Sequence, residues 1–228
     1  MAGVFVTGTD TEVGKTVASS LLVATLRRYG PVGYWKPIQT GIEEDDDTAE
    51  VRRLAACSDD EILDRGVRLP RPLSPHLSAR LAGKEIDVDS LARLGLALAK
   101  DRFWVVEGAG GLLVPLNGSE LLADLIAVLE LPTLIAARCG LGTINHTLLT
   151  IAELRRRSIP VAGVVMLGTP NPENRAAIEF YGKTEVLAEV PVLCPLDADS
   201  IAKVANESAS RLAILLAAIG GLPPRSEV

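Results

Sequence analysis

Short apolar runs alternate with amphipathic stretches along the whole chain. Val4-Phe5-Val6 opens the series as a strand over 4–7, and Val17, Leu21, Leu22 and Leu26 then recur at helical spacing over 15–28. Val32-Gly33-Tyr34-Trp35 predicts a strand over 32–36, followed by an acidic loop and a helix over 48–56. Residues 58–100 hold helical pieces at 74–82 and 89–99, interrupted by Pro70, Pro72 and Pro75. Phe103-Trp104-Val105-Val106 predicts a buried strand over 103–107, and a helix over 121–129 follows a glycine-rich loop. The remaining pattern places strands at 133–136, 161–167 and 192–194, and helices at 143–157, 173–181 and 200–219. Such alternation predicts an α/β fold, a doubly wound and mostly parallel sheet with right-handed crossovers and helices on both faces. One domain accounts for residues 1–222, with 223–228 as a flexible tail.

Candidate chemistry gathers where strands end. Gly8-Thr-Asp-Thr-Glu-Val-Gly-Lys-Thr16 follows the first strand directly. A glycine-bounded loop between strand and helix points backbone N–H groups at an anion, which makes this a P-loop and a seat for nucleotide phosphates. Its glycines stand one residue further apart than in the standard pattern, so it is a variant loop. Lys15 is the cation for the β/γ-phosphates, and the Thr16 hydroxyl is a ligand for Mg²⁺. The second strand ends in Lys36-Pro-Ile-Gln-Thr-Gly41, where Pro37 forces Lys36 into extended geometry at the ligand-binding edge of a parallel sheet. The strand over 103–107 ends in Glu107-Gly-Ala-Gly-Gly111. Taken alone, Glu107 reads equally as a capping or ion-paired residue; beside a phosphate loop it reads as a second Mg²⁺ ligand.

Composition narrows the class. Of 228 residues, 48% are hydrophobic but only 4% aromatic, so aliphatic side chains carry the core. The net charge is −6 and the basic residues are dispersed, which argues against a nucleic-acid partner. Arg155-Arg156-Arg157, the densest basic cluster, fits a helix C-terminus. No apolar stretch is long enough to span a membrane, and the first strand leaves no room for a signal peptide. Cys57, Cys139 and Cys194 suggest neither a disulfide frame nor a zinc site. A cytoplasmic protein is expected.

Together with Gly140-Leu-Gly-Thr-Ile-Asn-His-Thr147, the segments 8–16, 36–41 and 106–115 resemble the signatures of the dethiobiotin synthetase family over nearly the whole chain. The resemblance implies an ATP- and Mg²⁺-dependent cyclo-ligase of biotin biosynthesis. Its substrates are 7,8-diaminononanoate, CO₂ or bicarbonate, and ATP, and its site lies at the interface of a homodimer. Lys15 and Lys36 are then catalytic, and Thr11, Glu12, Val13, Gly14, Lys15, Thr16, Val17, Glu107 and Leu167 bind the nucleotide. Thr11, Thr40, Gly110, Gly111, Thr143 and Asn145 serve the diamine, Asn145 from the second subunit. Thr16, Asp47 and Glu107 hold the metal. The run Glu43-Glu44-Asp45-Asp46-Asp47 also reads as a solvated loop with Asp47 as helix N-cap, and the two roles are compatible. The family's tyrosine for the substrate carboxylate falls at Tyr181 or Phe180. His76 is expected on a surface loop, and neither it nor His146 is given a catalytic role.

One departure affects specificity. The family often has Asn where this chain has Leu167, which has neither donor nor acceptor for a base edge, so other nucleoside triphosphates are expected to serve. The alternative reading is a partitioning or septum-positioning switch ATPase. Those proteins carry an additional lysine early in the loop, where this chain has Asp10. An amidating cobalamin-pathway synthase would need a glutaminase extension, and the signatures at 36–41 and 106–115 speak against a small-molecule kinase.

Overall fold

Strand and helix follow each other much as the hydrophobic pattern predicts. In a computed structural model that describes residues 2–218, Ala2–Gly8 (β1), Lys15–Leu26 (α1), Val32–Trp35 (β2), Ile38–Thr40 (β3) and Asp47–Leu54 (α2) come first. Ile62–Leu63 (β4), Val67–Leu69 (β5), Pro75–Leu81 (α3), Val88–Leu96 (α4), Phe103–Gly111 (β6) and Leu122–Leu129 (α5) make up the middle. Thr133–Arg138 (β7), Thr143–Arg156 (α6), Val161–Leu167 (β8), Pro172–Gly182 (α7), Val186–Val190 (β9) and Ala198–Ala218 (α8) complete the chain. The tail expected at 223–228 lies outside the described residues.

Among the described residues the main sheet has seven strands in the order β4-β2-β6-β1-β7-β8-β9, with every ladder parallel. β1 lies between β6 and β7, so the chain winds outward from it in both directions. The carboxyl ends of β1, β2 and β6 therefore meet at a topological switch point, where open α/β sheets bind ligands. Alternation along β1 divides the interior into two cores. Val4 and Val6 join Leu21, Leu22, Val51, Val204 and Leu212 under α1, α2 and α8. Phe5 joins Leu91, Leu125, Ile151 and Ile178 under α4 to α7.

Four features depart from the sequence reading. The strand expected at 192–194 is instead β9, Val186–Val190. Glu189 interrupts that apolar run but pairs with Arg175 at 3.0 Å, whereas Val192, after Pro191, is 76% exposed. The apolar face expected of α1 widens to a mostly buried helix, because α2 and α8 cover it; its buried Thr25 and Ser20 hydroxyls donate to the carbonyls of Leu21 and Thr16, both at 2.8 Å. His76 lies in the first turn of α3, partly buried, rather than on a loop. Finally, β3 pairs with β5 in a small sheet of their own, and β4 extends the main sheet beside β2.

The small sheet and the turn leading into it are tied to the end of β2. Val67 N–H donates to the Pro37 carbonyl at 2.8 Å, Arg68 to the Lys36 carbonyl at 3.0 Å, and Trp35 Nε1 to the Arg65 carbonyl at 2.6 Å. A Cβ on Gly66, at φ 147°, would lie 2.3 Å from the Pro37 carbonyl oxygen. The segment after β4 thus clamps the backbone that carries Lys36.

Candidate active site

The phosphate-loop segment leaves the buried end of β1 and turns sharply into α1. Glu12 has φ 56° and Gly14 φ 90°. The left-handed φ of Gly14 favours glycine, and a Cβ there would also lie 2.6 Å from Leu167 Cδ2, so that side chain would have to move. Gly14 supplies no side-chain cap to α1. The N–H groups of the first helical turn are left for an anion, which the helix dipole also favours.

Lys15 is buried and donates to the Asp10 carbonyl at 3.2 Å. Burial pulls its pKa below the ordinary lysine value, more strongly than the nearby Glu107 and Asp47 carboxylates raise it. Asp10 is itself fixed. Its Oδ1 accepts from Thr11 N–H at 2.7 Å and its Oδ2 from Arg138 Nη2 at 3.0 Å.

Lys36 is in the opposite electrostatic condition. It is 2% exposed, donates to Glu107 Oε1 at 2.8 Å, and forms an ion pair with Asp47 Oδ2. Burial opposes its charge, but Glu107 and Asp47 together outweigh burial and hold its pKa above the ordinary value. Asp47 responds in kind: burial would raise its carboxyl, and Lys36 more than offsets this, leaving it below the ordinary carboxylate value.

The helix cap falls one residue earlier than the sequence reading put it. Asp46, not Asp47, caps α2 by accepting from Thr48 N–H at 2.9 Å and Ala49 N–H at 3.2 Å. Asp47 is therefore free to turn inward, where Thr16 Oγ1 donates to its Oδ1 at 2.8 Å. Thr16 Oγ1 also lies 3.4 Å from Glu107 Oε1. Glu107, in the middle of β6, which runs on past the end expected at 107, is fully buried, and its second oxygen accepts from the Tyr34 hydroxyl at 3.1 Å. Burial first, and then the Glu107 charge, push the Tyr34 phenol well above its ordinary pKa.

Thr16, Asp47 and Glu107 thus present three hard oxygen donors from three different elements, two of them joined through the third. That set fits Mg²⁺, which takes a few protein oxygens and completes its shell with water and phosphate. Among the described residues no group of three or more His, Cys, Asp or Glu gathers as a metal cage, so this set depends on the Thr16 hydroxyl beside two carboxylates.

Other residues singled out by sequence surround this cluster at varying distance. Gly8 pairs in register with Gly111, and Gly110 takes φ 70°, so the glycine-rich end of β6 lies against the start of the phosphate loop. Thr40 ends β3, and Gly41 after it packs on Pro72. Thr143 is buried with its hydroxyl 3.5 Å from that of Thr147, while Asn145 is exposed in the first turn of α6. Phe180 and Tyr181 are both exposed, with rings edge to face at 5.0 Å. Beyond Gly14 a cleft of about 290 Å³ opens, bounded by Glu12, Val13, Val17, Arg138, Leu167 and the segment Val190 to Leu193. Sequence reasoning missed Tyr34 and Arg138. Tyr34 reads as an ordinary core position of a strand, and Arg138 as a solvated strand end.

Residues 2–200 match the family model described as an AAA domain. The chain is 50% identical over 202 residues to the ATP-dependent dethiobiotin synthetase BioD of Paramagnetospirillum magneticum, covering 89% of this chain and 94% of that protein. It is 45% identical over 196 residues to the Brucella ovis protein of the same name, covering 86% and 89%. It also matches the biotin biosynthesis bifunctional protein BioCD of Bordetella avium at 47% identity, covering 87% of this chain and 41% of that protein. Among solved structures, the Pyrococcus furiosus cell division ATPase MinD superposes with a TM-score of 0.59 at 15% identity, covering 94% of this chain and all of that one (100%). A ParA family ATPase from Chlorobium tepidum gives 0.53 at 12%, covering 93% and 95%. At such identities the likeness is one of fold.

Proposed function

This chain belongs to the ATP-dependent dethiobiotin synthetase family, and from that premise we propose that it closes the ureido ring of dethiobiotin on 7,8-diaminononanoate. Its class is that of an ATP-dependent cyclo-ligase of biotin biosynthesis. In the proposed course, one amine of the diamine adds to CO₂ and loses a proton to give a carbamate. The carbamate oxygen attacks the γ-phosphorus of ATP, releasing ADP and forming a carbamoyl phosphate. The neighbouring amine then attacks the carbamoyl carbon, phosphate leaves, and the ring closes.

Every step gathers negative charge, so positioned cations are the expected catalysts. Lys15 binds the β/γ-phosphates, together with the N–H groups that follow Gly14. Lys36 lies between γ-phosphate and carbamate and stabilises charge in transit. Thr16, Asp47 and Glu107 would hold Mg²⁺, which neutralises triphosphate charge and orients it. Thr11, Thr40 and the Gly110-Gly111 backbone position the diamine and its carbamate. What supports this reading above all is the convergence of two buried lysines and two carboxylates, from the start of α1, the end of β2, β6 and the start of α2, at one sheet edge.

We also propose a two-fold homodimer through α6 and α7, in which Asn145 and Thr143 serve the neighbour's substrate site. The support is that α6, α7 and the turn before α6 expose Leu141, Leu149, Phe180 and Tyr181 as well as Asn145. A cytoplasmic setting suits such an enzyme. No helix among the described residues is long and apolar enough to cross a membrane. The switch-ATPase reading shares the fold, but Asp10 stands at the position of the additional lysine and is paired with Arg138 of its own chain.

The test is incubation with 7,8-diaminononanoate, bicarbonate, Mg²⁺ and ATP, with mass spectrometry for the ureido product. Dethiobiotin, ADP and phosphate should appear together and require all components. Full-rate phosphate release without the diamine, and no ring product, would refute the assignment.

A further inference from the structure

Tyr34 stands on β2 in register with Val105 of β6. Glu107 lies two residues beyond Val105, so all three side chains share one face of the sheet. A phenol is long enough to cross from one strand to the diagonal position on the next. Tyr34 does so from full burial, and its hydroxyl meets Glu107 Oε2 at 3.1 Å. Among the described residues it is the one donor to that oxygen. Oε1 faces the other way, toward Lys36 Nζ at 2.8 Å and Thr16 Oγ1 at 3.4 Å.

A buried carboxylate held at one oxygen only could rotate and offer either oxygen, or both, to a cation. With Oε2 bonded to a neutral phenol, Glu107 presents Oε1 on the side where Thr16 and Asp47 converge. We propose that Tyr34 is a positioning residue: its hydroxyl fixes the plane of the Glu107 carboxylate and so sets the affinity of the divalent-cation site. The proposal rests on the reading of Glu107 as a metal ligand. Hydrogen-bonding partners of metal ligands typically change metal affinity by about 10- to 100-fold.

The experiment compares binding of adenylyl imidodiphosphate by calorimetry with Mn²⁺ and in EDTA, for wild type and variants. The ratio of the two affinities measures the metal's contribution separately from nucleotide contacts. Tyr34→Phe removes one oxygen and keeps the ring. It should cut the ratio about tenfold, leave the EDTA affinity unchanged, and alter the spectrum of bound Mn²⁺ in electron paramagnetic resonance. Val51→Ala, a cavity in the same core, should lower the melting temperature without moving the ratio. In the background of Glu107→Gln, Tyr34→Phe should change the ratio no further, since coupled groups are non-additive.

An unchanged ratio in Tyr34→Phe, with Glu107→Gln abolishing the metal's contribution, overturns the positioning role and leaves the metal-ligand reading intact. An equal effect of Tyr34→Phe in both backgrounds also overturns it. If Glu107→Gln itself leaves the ratio intact, the ligand reading falls and this proposal falls with it.

Discussion

Replacing Leu167 tests how the nucleotide base is read. The cleft beyond Gly14 is walled by Val13, Val17, Leu167, Val190, Pro191, Val192, Leu193 and Leu196, and none of its lining residues carries a side-chain amide. Its polar side chains are Glu12 and Arg138, and Arg138 is already paired with Asp10 at 3.0 Å. Two of the backbone groups there offer no donor: Pro191 has no N–H, and Gly168 N–H is taken by the Val190 carbonyl at 2.9 Å. A site built to hydrogen-bond its substrate rejects an analogue by about 10⁴-fold or more, because buried polar groups go unpaired. Apolar walls impose no such penalty, and the phosphate loop grips every triphosphate alike. The expected discrimination among ATP, GTP, CTP and UTP is within about tenfold in kcat/KM, or about 1.4 kcal/mol. Leu167→Asn adds one donor and one acceptor. A net hydrogen bond of about 0.5–1.5 kcal/mol should then sharpen the preference for ATP by about two- to tenfold. Leu167→Met, which keeps the wall apolar, should leave selectivity unchanged. The assay is the ureido product formed from each triphosphate, followed by competition between pairs. A wild-type preference for ATP above about a hundredfold would refute the reasoning and assign base reading to backbone groups.

Three further outcomes follow from the lysines and the α6 face. Lys15→Met should raise the melting temperature of the ligand-free protein, because burial disfavours the Lys15 charge. It should also weaken triphosphate binding by about 10- to 150-fold, the value of a charged hydrogen bond of about 1.5–3 kcal/mol; a lower melting temperature would contradict the first part. Lys36→Ala should lower kcat at least about a hundredfold with little change in nucleotide KM, as expected of a transition-state contact. It should also destabilise the fold by about 3–5 kcal/mol, since Asp47 and Glu107 lose their partner, and unchanged turnover would remove this lysine from the chemistry. Asn145→Ala should raise the KM for the diamine without altering nucleotide binding, and a dilute monomer with full activity would contradict the shared site.

The phosphate loop, Lys36 and Glu107 were legible because each couples a short apolar run to a special residue at its end. That signal is local, and it survives whatever the rest of the chain does. The small sheet of β3 and β5 was not legible: three-residue strands show no periodicity, and their pairing depends on Gly66 approaching Pro37 across an excursion. β9 was placed too late because Glu189 breaks its apolar run, and only the fold supplies Arg175 to satisfy that charge. The acidic run 43–47 gave five similar residues and no local reason to choose among them. Lys36 makes the choice by drawing Asp47 inward, which leaves Asp46 to cap the helix.

The two lysines stand in opposite electrostatic conditions at one edge of the sheet. Lys15 is desolvated without a carboxylate in contact, so the ligand-free protein carries a cost there that an incoming anion relieves. Its lowered pKa means that the unfolded chain holds this proton more tightly, so that cost fades as pH rises through the folded value toward 10.5. Lys36 has the opposite sign. Its raised pKa makes the charged form stabilising below 10.5, and that stabilisation is lost only as pH climbs through the still higher folded value. Asp47, lowered below 3.8, keeps its half of the pair until the pH falls through its folded value. The Lys36 pair is therefore intact across the whole neutral range, and its charge is available without any proton transfer. Lys36 also shares both its carboxylate partners with Thr16, through the same oxygen of Glu107 and through opposite oxygens of Asp47. If Thr16, Asp47 and Glu107 hold a cation as proposed, loading it would loosen the Lys36 ammonium from Glu107 Oε1, and charge would be moved between two anions rather than created.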